Sequence, residues 1–397
     1  MSNIAIYTLT SALHDEAAVA AATKEFLDSL GVGHLLMGAD YATFGTHALD
    51  LIYVRTGGTE GIFNQLLPEL QRRSRRPFYL LTSGKSNSLA ASMEILSFLR
   101  RQGIKGEIIH GSTAYVAARI RLLASVGEAL QKLDGCRLGI VGKPSDWLIS
   151  SEADPDLVRQ RLGIELLDIA MDELLDEIKT TPLPDVDTGR APEAVAASLA
   201  GAEQIHLALR ALAERHRLGG LTVRCFDLLT AVRNTGCLAL AKLNADGIVA
   251  GCEGDVPALL TMTIVRALLD APAFQANPAR IDAETGEVLF AHCTIPLSMV
   301  DRYEFDTHFE SGIGVGIRGY MHEGPVTIVK VAGDLSRAFI AEGELVRNQA
   351  KPDLCRTQQV IRLDDKSQCR YFLTDPIGNH HIIIAGHHRA TLEEILI

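Results

Sequence analysis

The side chains able to do acid–base or metal chemistry cluster in a few short stretches. Glu253 lies in Gly251-Cys252-Glu253-Gly254-Asp255, where the flanking glycines let other backbone approach closely. Histidines gather towards the C-terminal end. His292 stands beside Cys293 in Phe290-Ala291-His292-Cys293-Thr294-Ile295-Pro296, and His308 lies in the polar run Asp306-Thr307-His308-Phe309-Glu310. The pairs His380-His381 and His387-His388 follow. Imidazole and carboxylate together suit Mn, Fe, Co, Ni or Zn. A carboxylate in such a site can also move a proton. Each residue has a plainer reading as well. Glu253 can be a charge on a solvated rim, any single histidine can be structural, and a free cysteine is usually a small core residue.

The elements around Glu253 give it a position. Residues 248–250 form a short apolar run that reads as a buried strand. Asp255, with Pro257 two residues on, reads as the cap and first turn of a helix. Glu253 is therefore expected at the carboxyl end of a strand, on the rim where open α/β sheets bind ligands.

Upstream, strands and helices alternate. Strands are expected at 4–9, 34–37, 51–54, 78–82 and 106–110, with helices at 15–30, from Ser88 to 102, and at 112–133. This pattern calls for a parallel sheet covered on both faces, and we place a first domain at about residues 1–135. Two strand-end loops are polar and glycine-bearing: Arg55-Thr56-Gly57-Gly58-Thr59-Glu60 and Ser83-Gly84-Lys85-Ser86-Asn87-Ser88. The second contains Gly-Lys-Ser, but a phosphate-binding P-loop needs glycine at 79, and that residue is Tyr79. Arg55, Ser86 and Asn87 are retained as candidates for binding an anionic or polyhydroxy ligand at a helix start.

The pattern restarts with a strand at 137–141, followed by Gly142-Lys143-Pro144-Ser145-Asp146-Trp147, which carries the one tryptophan. Residues 180–191 read as an exposed linker, and 192–217 as a long helix. This second α/β domain is placed at about 136–270. After Pro272 the character changes to short strands separated by Gly and Asp turns, at 288–292, 313–317, 326–331, 339–346, 358–363 and 381–385. Strands without intervening helices suggest an antiparallel barrel or sandwich over 271–397. A short helix at 391–396, capped by Thr391, closes it.

Composition narrows the function classes. The chain is 47% hydrophobic and 22% charged, ordinary for a globular protein. A net charge of −11 and 5% aromatic residues disfavour nucleic acid and anionic membranes as partners. The first nine residues have neither the basic nor the apolar region of a signal peptide, and seven dispersed cysteines fit a reducing compartment, so a cytoplasmic location is expected.

Three of these segments, in order, resemble the L-fucose isomerase and L-arabinose isomerase superfamily: Gly251 to Asp255, Phe290 to Pro296, and Gly378-Asn379-His380-His381. The Ser86-Asn87-Ser88 loop and Pro144-Ser145-Asp146-Trp147 are similar to segments of its shorter members. The resemblance implies two Rossmann-like or flavodoxin-like α/β domains with parallel sheets, followed by a β-rich, barrel-like domain. It implies a divalent metal, usually Mn²⁺, and interconversion of an aldose and a ketose through an enediol. It also implies a homo-oligomer, a trimer or hexamer, with the site near a subunit interface. Carried over residue by residue, Glu253 matches a metal carboxylate that doubles as acid or base. His292 matches a histidine at the metal. His381 matches the C-terminal metal histidine, with His380 as second choice or a substrate contact. Ser86, Asn87 and Trp147 lie in the segments similar to those of the shorter members, and they are kept as substrate-binding candidates together with Arg55, whose loop also reads as a plain turn.

One departure stands out. The second carboxylate of the family falls at Asn277, whose amide is no base at neutral pH. Asp282 replaces it if the loop shifts, although a hairpin turn with Gly286 is an equal reading of Asp282. Glu310 is a second replacement. Otherwise the chain is a catalytically altered or non-catalytic sugar-binding relative, with Asn277 as a substrate contact.

Overall fold

Buried apolar strands alternate with amphipathic helices through the first two thirds of the chain, and the last third is almost wholly strand. The computed structural model describes residues 3–74, 76–189 and 191–396. Met1 and Ser2, among the first nine residues read above, and Arg190 of the expected linker lie outside them. The chain divides into two compact units, Met1–Gln131 and Lys132–Ile397.

The first unit runs β1 (Ile4–Leu9), α1 (Glu16–Leu30), β2 (Leu35–Gly38), β3 (Leu49–Val54), α2 (Glu60–Arg73), β4 (Phe78–Leu81), α3 (Ser88–Arg101), β5 (Gly106–Ile109) and α4 (Thr113–Leu133). Its parallel sheet has the order β2-β1-β3-β4-β5. Successive strand residues serve opposite faces. Ala5, Tyr7 and Ile52 join one core, and Ile4, Ile6 and Leu51 join another. Burial on both faces is why β1 is apolar throughout rather than alternating.

The second unit begins with β6 (Arg137–Val141), α5 (Pro155–Leu162), β7 (Glu165–Ile169), α6 (Met171–Thr180), α7 (Glu193–His216), β8 (Gly220–Val223), α8 (Cys225–Val232), α9 (Cys237–Ala245), β9 (Val249–Cys252) and α10 (Val256–Leu269). Its parallel sheet is ordered β7-β6-β8-β9, with β9 at the edge. There follow β10 (Phe274–Asp282), β11 (Glu287–His292), β12 (Arg302–Asp306), β13 (Gly316–Tyr320), β14 (Gly324–Val331), β15 (Ala338–Gln349), β16 (Thr357–Leu363), α11 (Cys369–Thr374), β17 (His381–Ala385) and α12 (Arg389–Leu396). Strands β10-β11-β16-β15-β14-β17 close an antiparallel barrel, while β12 and β13 form a separate ribbon. Closure leaves the barrel no free edge. Phe274, Phe290, Ile328, Ile361 and Ile383 fill the core. The expected fold class, parallel α/β sheets followed by a β-rich barrel, is the one observed.

Helix α10 joins sheet to barrel. It packs against both β9 and β14 and is buried on nearly every face, as an apolar helix between two layers must be. The Gln275 side chain of β10 adds a polar tie, its Oε1 accepting from Cys252 N at 2.8 Å. The sheet rim at Glu253 is thereby fixed against one end of the barrel.

Several elements differ from expectation. Residues 277–282, read as a loop, are the second half of β10. The register shifts between Pro278 and Arg280, a bulge that accommodates the missing N–H of proline. The strand expected at 313–317 begins only at Gly316, because Gly312 and Gly314 both adopt φ of +68°, outside the strand region. The last helix starts at Arg389 rather than after Thr391. Among the described residues no helix is long and apolar enough to cross a membrane.

Candidate active site

The stretch from Cys252 to Asp255 turns from strand to helix in two residues. Glu253 and Gly254 both take positive φ, +63° and +70°. A Cβ on Gly254 would lie 2.5 Å from the Lys143 carbonyl oxygen, so only glycine fits there. A non-glycine residue with positive φ is strained, and such strain collects at functional sites. Asp255 then caps α10, its Oδ1 accepting from Ala258 N at 2.8 Å. The helix cap at Asp255 and the strand-end position of Glu253 are as expected, with the strand at Val249–Cys252 rather than 248–250.

The turn aims the Glu253 carboxylate at the barrel mouth. Its Oε2 accepts from Trp147 Nε1 at 2.6 Å, and its Oε1 is 3.6 Å from His380 Nε2. One ligand atom each from Glu253, His292 and His380 lie within 4.8 Å of one another. His292 ends β11, and the Thr294 hydroxyl holds its Nδ1 at 2.9 Å. The Nδ1 of His380 is 2.8 Å from Asp255 Oδ2, and its fully buried Nε2 has no hydrogen-bond partner. Asp255 also has Lys330 Nζ 3.6 Å away, on β14, with both side chains almost completely buried.

These environments set the charges. Burial opposes ionisation of Glu253, but His380, His292 and Trp147 outweigh it and bring the carboxyl down to about 2. Asp255 is likewise brought down to about 2, against its burial, chiefly by Lys330 and His380. Burial works against a charged His380, yet the two carboxylates beside it raise its value to about 9. Burial, helped by His380, pushes His292 down to about 3.

The arrangement fits a divalent cation. A buried imidazole nitrogen with no partner beside a carboxylate and a second imidazole is a borderline-metal donor set. The Asp255–His380 pair supplies the carboxylate that orients a metal-binding histidine through its other ring nitrogen.

A cavity of about 60 Å³ opens beside these groups. Asn277, His308 and Glu310 line it together with Glu253 and His292, and so do Cys225, Cys237, Cys252, Cys293 and Cys355. Asn277 accepts from Asn379 Nδ2 at 3.1 Å. His308 is held through Nδ1 by Ser311 Oγ at 3.0 Å, and burial lowers its pKa. Its ring packs edge-on against Phe226, which meets Trp147 in the same way.

Two expected site residues lie elsewhere. His381, expected to hold the metal, points to the other side of the chain from His380, as neighbours at a strand start do. Its Nε2 meets Tyr371 Oη at 3.0 Å and its Nδ1 meets the Asn379 carbonyl oxygen at 3.0 Å. Phe290, Phe339 and Phe372 surround the ring. His380 takes the place expected of it. Asp282, expected as a replacement carboxylate, caps its own β10–β11 hairpin, accepting from Glu284 N and Thr285 N at 2.9 and 3.1 Å. Those amide donors stabilise its ionised form. Of the two candidate replacements, Glu310 is the one in the cavity.

Arg55, Ser86 and Asn87 belong to the first unit. Arg55 donates to Thr10 Oγ1 at 2.6 Å and to Glu16 at 2.8 and 3.0 Å, and lines a cavity of about 820 Å³ with Thr8 and Tyr41. Ser86 and Asn87 both take positive φ just before α3, and the Ser86 carbonyl accepts from Gly57 N at 2.7 Å. Sequence reasoning missed Lys330 and the link from Asp255 to His380. The available signal was a lysine inside the mostly apolar run of β14.

No family model matches the chain. Sulfoquinovose isomerases from Priestia aryabhattai and Priestia megaterium are each 24% identical to it over 219 residues, covering 52% of this chain and 49% of theirs. One from a Clostridium species is 26% identical over 189 residues, 45% of this chain and 42% of its own. The chain spans about half the length of the curated relatives it matches.

Proposed function

We propose that this protein is a metal-dependent isomerase interconverting an aldose and a ketose. The observation that carries the reading is the convergence of Glu253, His292 and His380, with the buried Nε2 of His380 unpartnered. The similarity to sulfoquinovose isomerases supports the same reaction class and makes a sulfonated hexose the first substrate to assay.

Glu253, His292 and His380 would hold the cation, and Mn²⁺ is the ion proposed. Two imidazoles with one carboxylate also suit Co²⁺ and Zn²⁺. When bound, a divalent ion supplies Lewis-acid polarisation of a sugar carbonyl. The protein supplies the rest. Asp255 holds His380 by accepting from Nδ1, so that Nε2 is the nitrogen turned to the site and would give up its proton to a bound cation. Thr294 orients His292 in the same manner. Trp147 directs the Glu253 carboxylate from the rim side and, being half exposed, presents an aromatic face to a sugar. We further propose a homo-oligomer, trimer or hexamer, working in the cytoplasm with its site near a subunit interface.

Glu253→Gln tests the reading. Elemental analysis of the purified variant should show loss of the bound metal, and conversion of sulfoquinovose, L-fucose and L-arabinose should disappear. Metal and turnover both retained in that variant would refute it. A second reading is favoured by Asn277 in the cavity. A sugar-binding relative without turnover would bind an aldose but exchange none of its carbon-bound hydrogen with heavy water.

A further inference from the structure

The reaction proposed above moves a proton between adjacent carbons of the sugar. The groups around the cavity are mostly unable to do this. Asn277 has no basic lone pair at neutral pH, and its oxygen already accepts from Asn379. Glu253 has one oxygen held by Trp147 and the other turned to His380. His292 and His380 are each fixed through Nδ1, with Nε2 given to the cation site. His308 is held through Nδ1 by Ser311, and burial of its ring lowers the basicity of the nitrogen left over.

Glu310 is different. It lines the same cavity at its solvent-exposed mouth. Among the described residues its carboxylate takes part in no hydrogen bond or ion pair. The turn that carries it is well fixed. Gly312 N bonds the His308 carbonyl at 2.9 Å, His308 N bonds the Ile313 carbonyl at 3.0 Å, and Arg356 Nε donates to the Thr307 carbonyl at 2.7 Å. A carboxylate with no partner among the described residues, on a braced turn and lining the same small cavity as Glu253, is placed to act as an acid–base group. Partial burial raises its pKa, and in the cation-free protein the charge of Glu253 adds to this.

We infer that Glu310 is the catalytic base of this site, in the role that Asn277 cannot fill. The inference rests on the isomerase reading. The carboxylate removes the proton from C2 of the open-chain aldose. The C–H electron pair becomes the C1–C2 double bond of the enediol, and the carbonyl π pair passes to O1, which takes the proton that O2 releases. Glu310 then returns its proton to C1. The double-bond pair forms that new C–H bond while O2 becomes the ketone oxygen, so atoms and electrons balance with no other reactant. A base at the cavity mouth trades its proton with water between the two steps, so product formed in heavy water carries deuterium at C1.

The test uses the full-length protein loaded with Mn²⁺ and sulfoquinovose, L-fucose and L-arabinose as probes, with deuterium at C1 read by NMR. Glu310→Gln should lower both conversion and exchange about 10²–10⁴-fold. Its metal content and unfolding temperature should stay those of the unaltered protein, and Glu310→Asp should recover part of the rate. The acidic limb of the kcat/KM–pH profile should vanish with Gln and persist with Asp. Glu310→Gln converting and exchanging within tenfold of the unaltered protein would overturn the role of Glu310 while leaving the isomerase reading intact. If the unaltered, metal-loaded protein converts and exchanges none of the three sugars, the isomerase reading fails and this inference falls with it.

Discussion

His380 and His381 are neighbours in sequence and occupy opposite worlds. His380 stands among charges: Asp255 at one nitrogen, Glu253 near the other, and Lys330 behind Asp255. His381 stands among rings, with Tyr371 and a backbone carbonyl using up both nitrogens. Burial is complete for both. The difference is the nitrogen left over. A buried imidazole with one unspent nitrogen facing a carboxylate can take a ligand, whereas one with both nitrogens satisfied is part of the core.

The largest effect should come from exchanging the two roles. His380→Ala is expected to abolish stoichiometric metal binding. His381→Phe should keep the metal and cost about 1–3 kcal/mol, because a somewhat larger ring enters an aromatic cluster and leaves Tyr371 Oη without its acceptor. Elemental analysis and urea unfolding on both variants check this. Metal lost from the His381 variant and kept in the His380 variant would reverse the assignment.

Next in size is Asp255→Asn. It leaves Lys330 buried without its counter-charge, a loss of about 3–5 kcal/mol. It also removes the carboxylate behind His380, which should weaken metal affinity about 10–100-fold. Chelator competition separates the second effect from the first. An unchanged affinity would mean that Asp255 serves only the helix cap.

The smallest effect is on pH dependence, in the metal-free protein. Burial holds His381 and His292 at about 3 when folded, against 6.5 as the ordinary value. Their contributions are therefore complete above about pH 6.5 and lost as pH falls below it. His380, raised to about 9, runs the other way: its contribution is complete below 6.5 and lost as pH rises through 9. Stability with chelator present should peak near pH 6.5. His381→Phe should make the acidic limb shallower, with His292 supplying what remains, and leave the alkaline limb in place. Urea midpoints across pH 4–10 would show it, and an unaltered acidic limb would contradict the buried neutral state of His381.

Much of this was legible without coordinates because it depends on near neighbours. The cap at Asp255, the carboxyl-end position of Glu253 and the change from helix to strand after Pro272 all follow from residues within one turn or one strand of each other. The presence of His292 and of one of the His380-His381 pair at the site followed from motif order. Asp282 shows where such signals divide. Its carboxylate suited either a ligand or a turn, and only the pairing of β10 with β11 put it at a hairpin bonded to Thr285.

What the chain's order of residues determined, then, was the kind of elements and the inventory of groups on them. Which imidazole meets Glu253 depended on strand phase, since a slip of one residue in β17 would turn His381 outward in place of His380. Closing the barrel fixed that phase through the pairings Ala276 with His381 and Val329 with Ile382. The same closure placed Lys330 behind Asp255, and the turn between β12 and β13 put Glu310 at the cavity mouth. These are contacts between residues tens to more than a hundred positions apart. No local periodicity encodes them, because they exist only once the sheet rim and the barrel end have packed on α10.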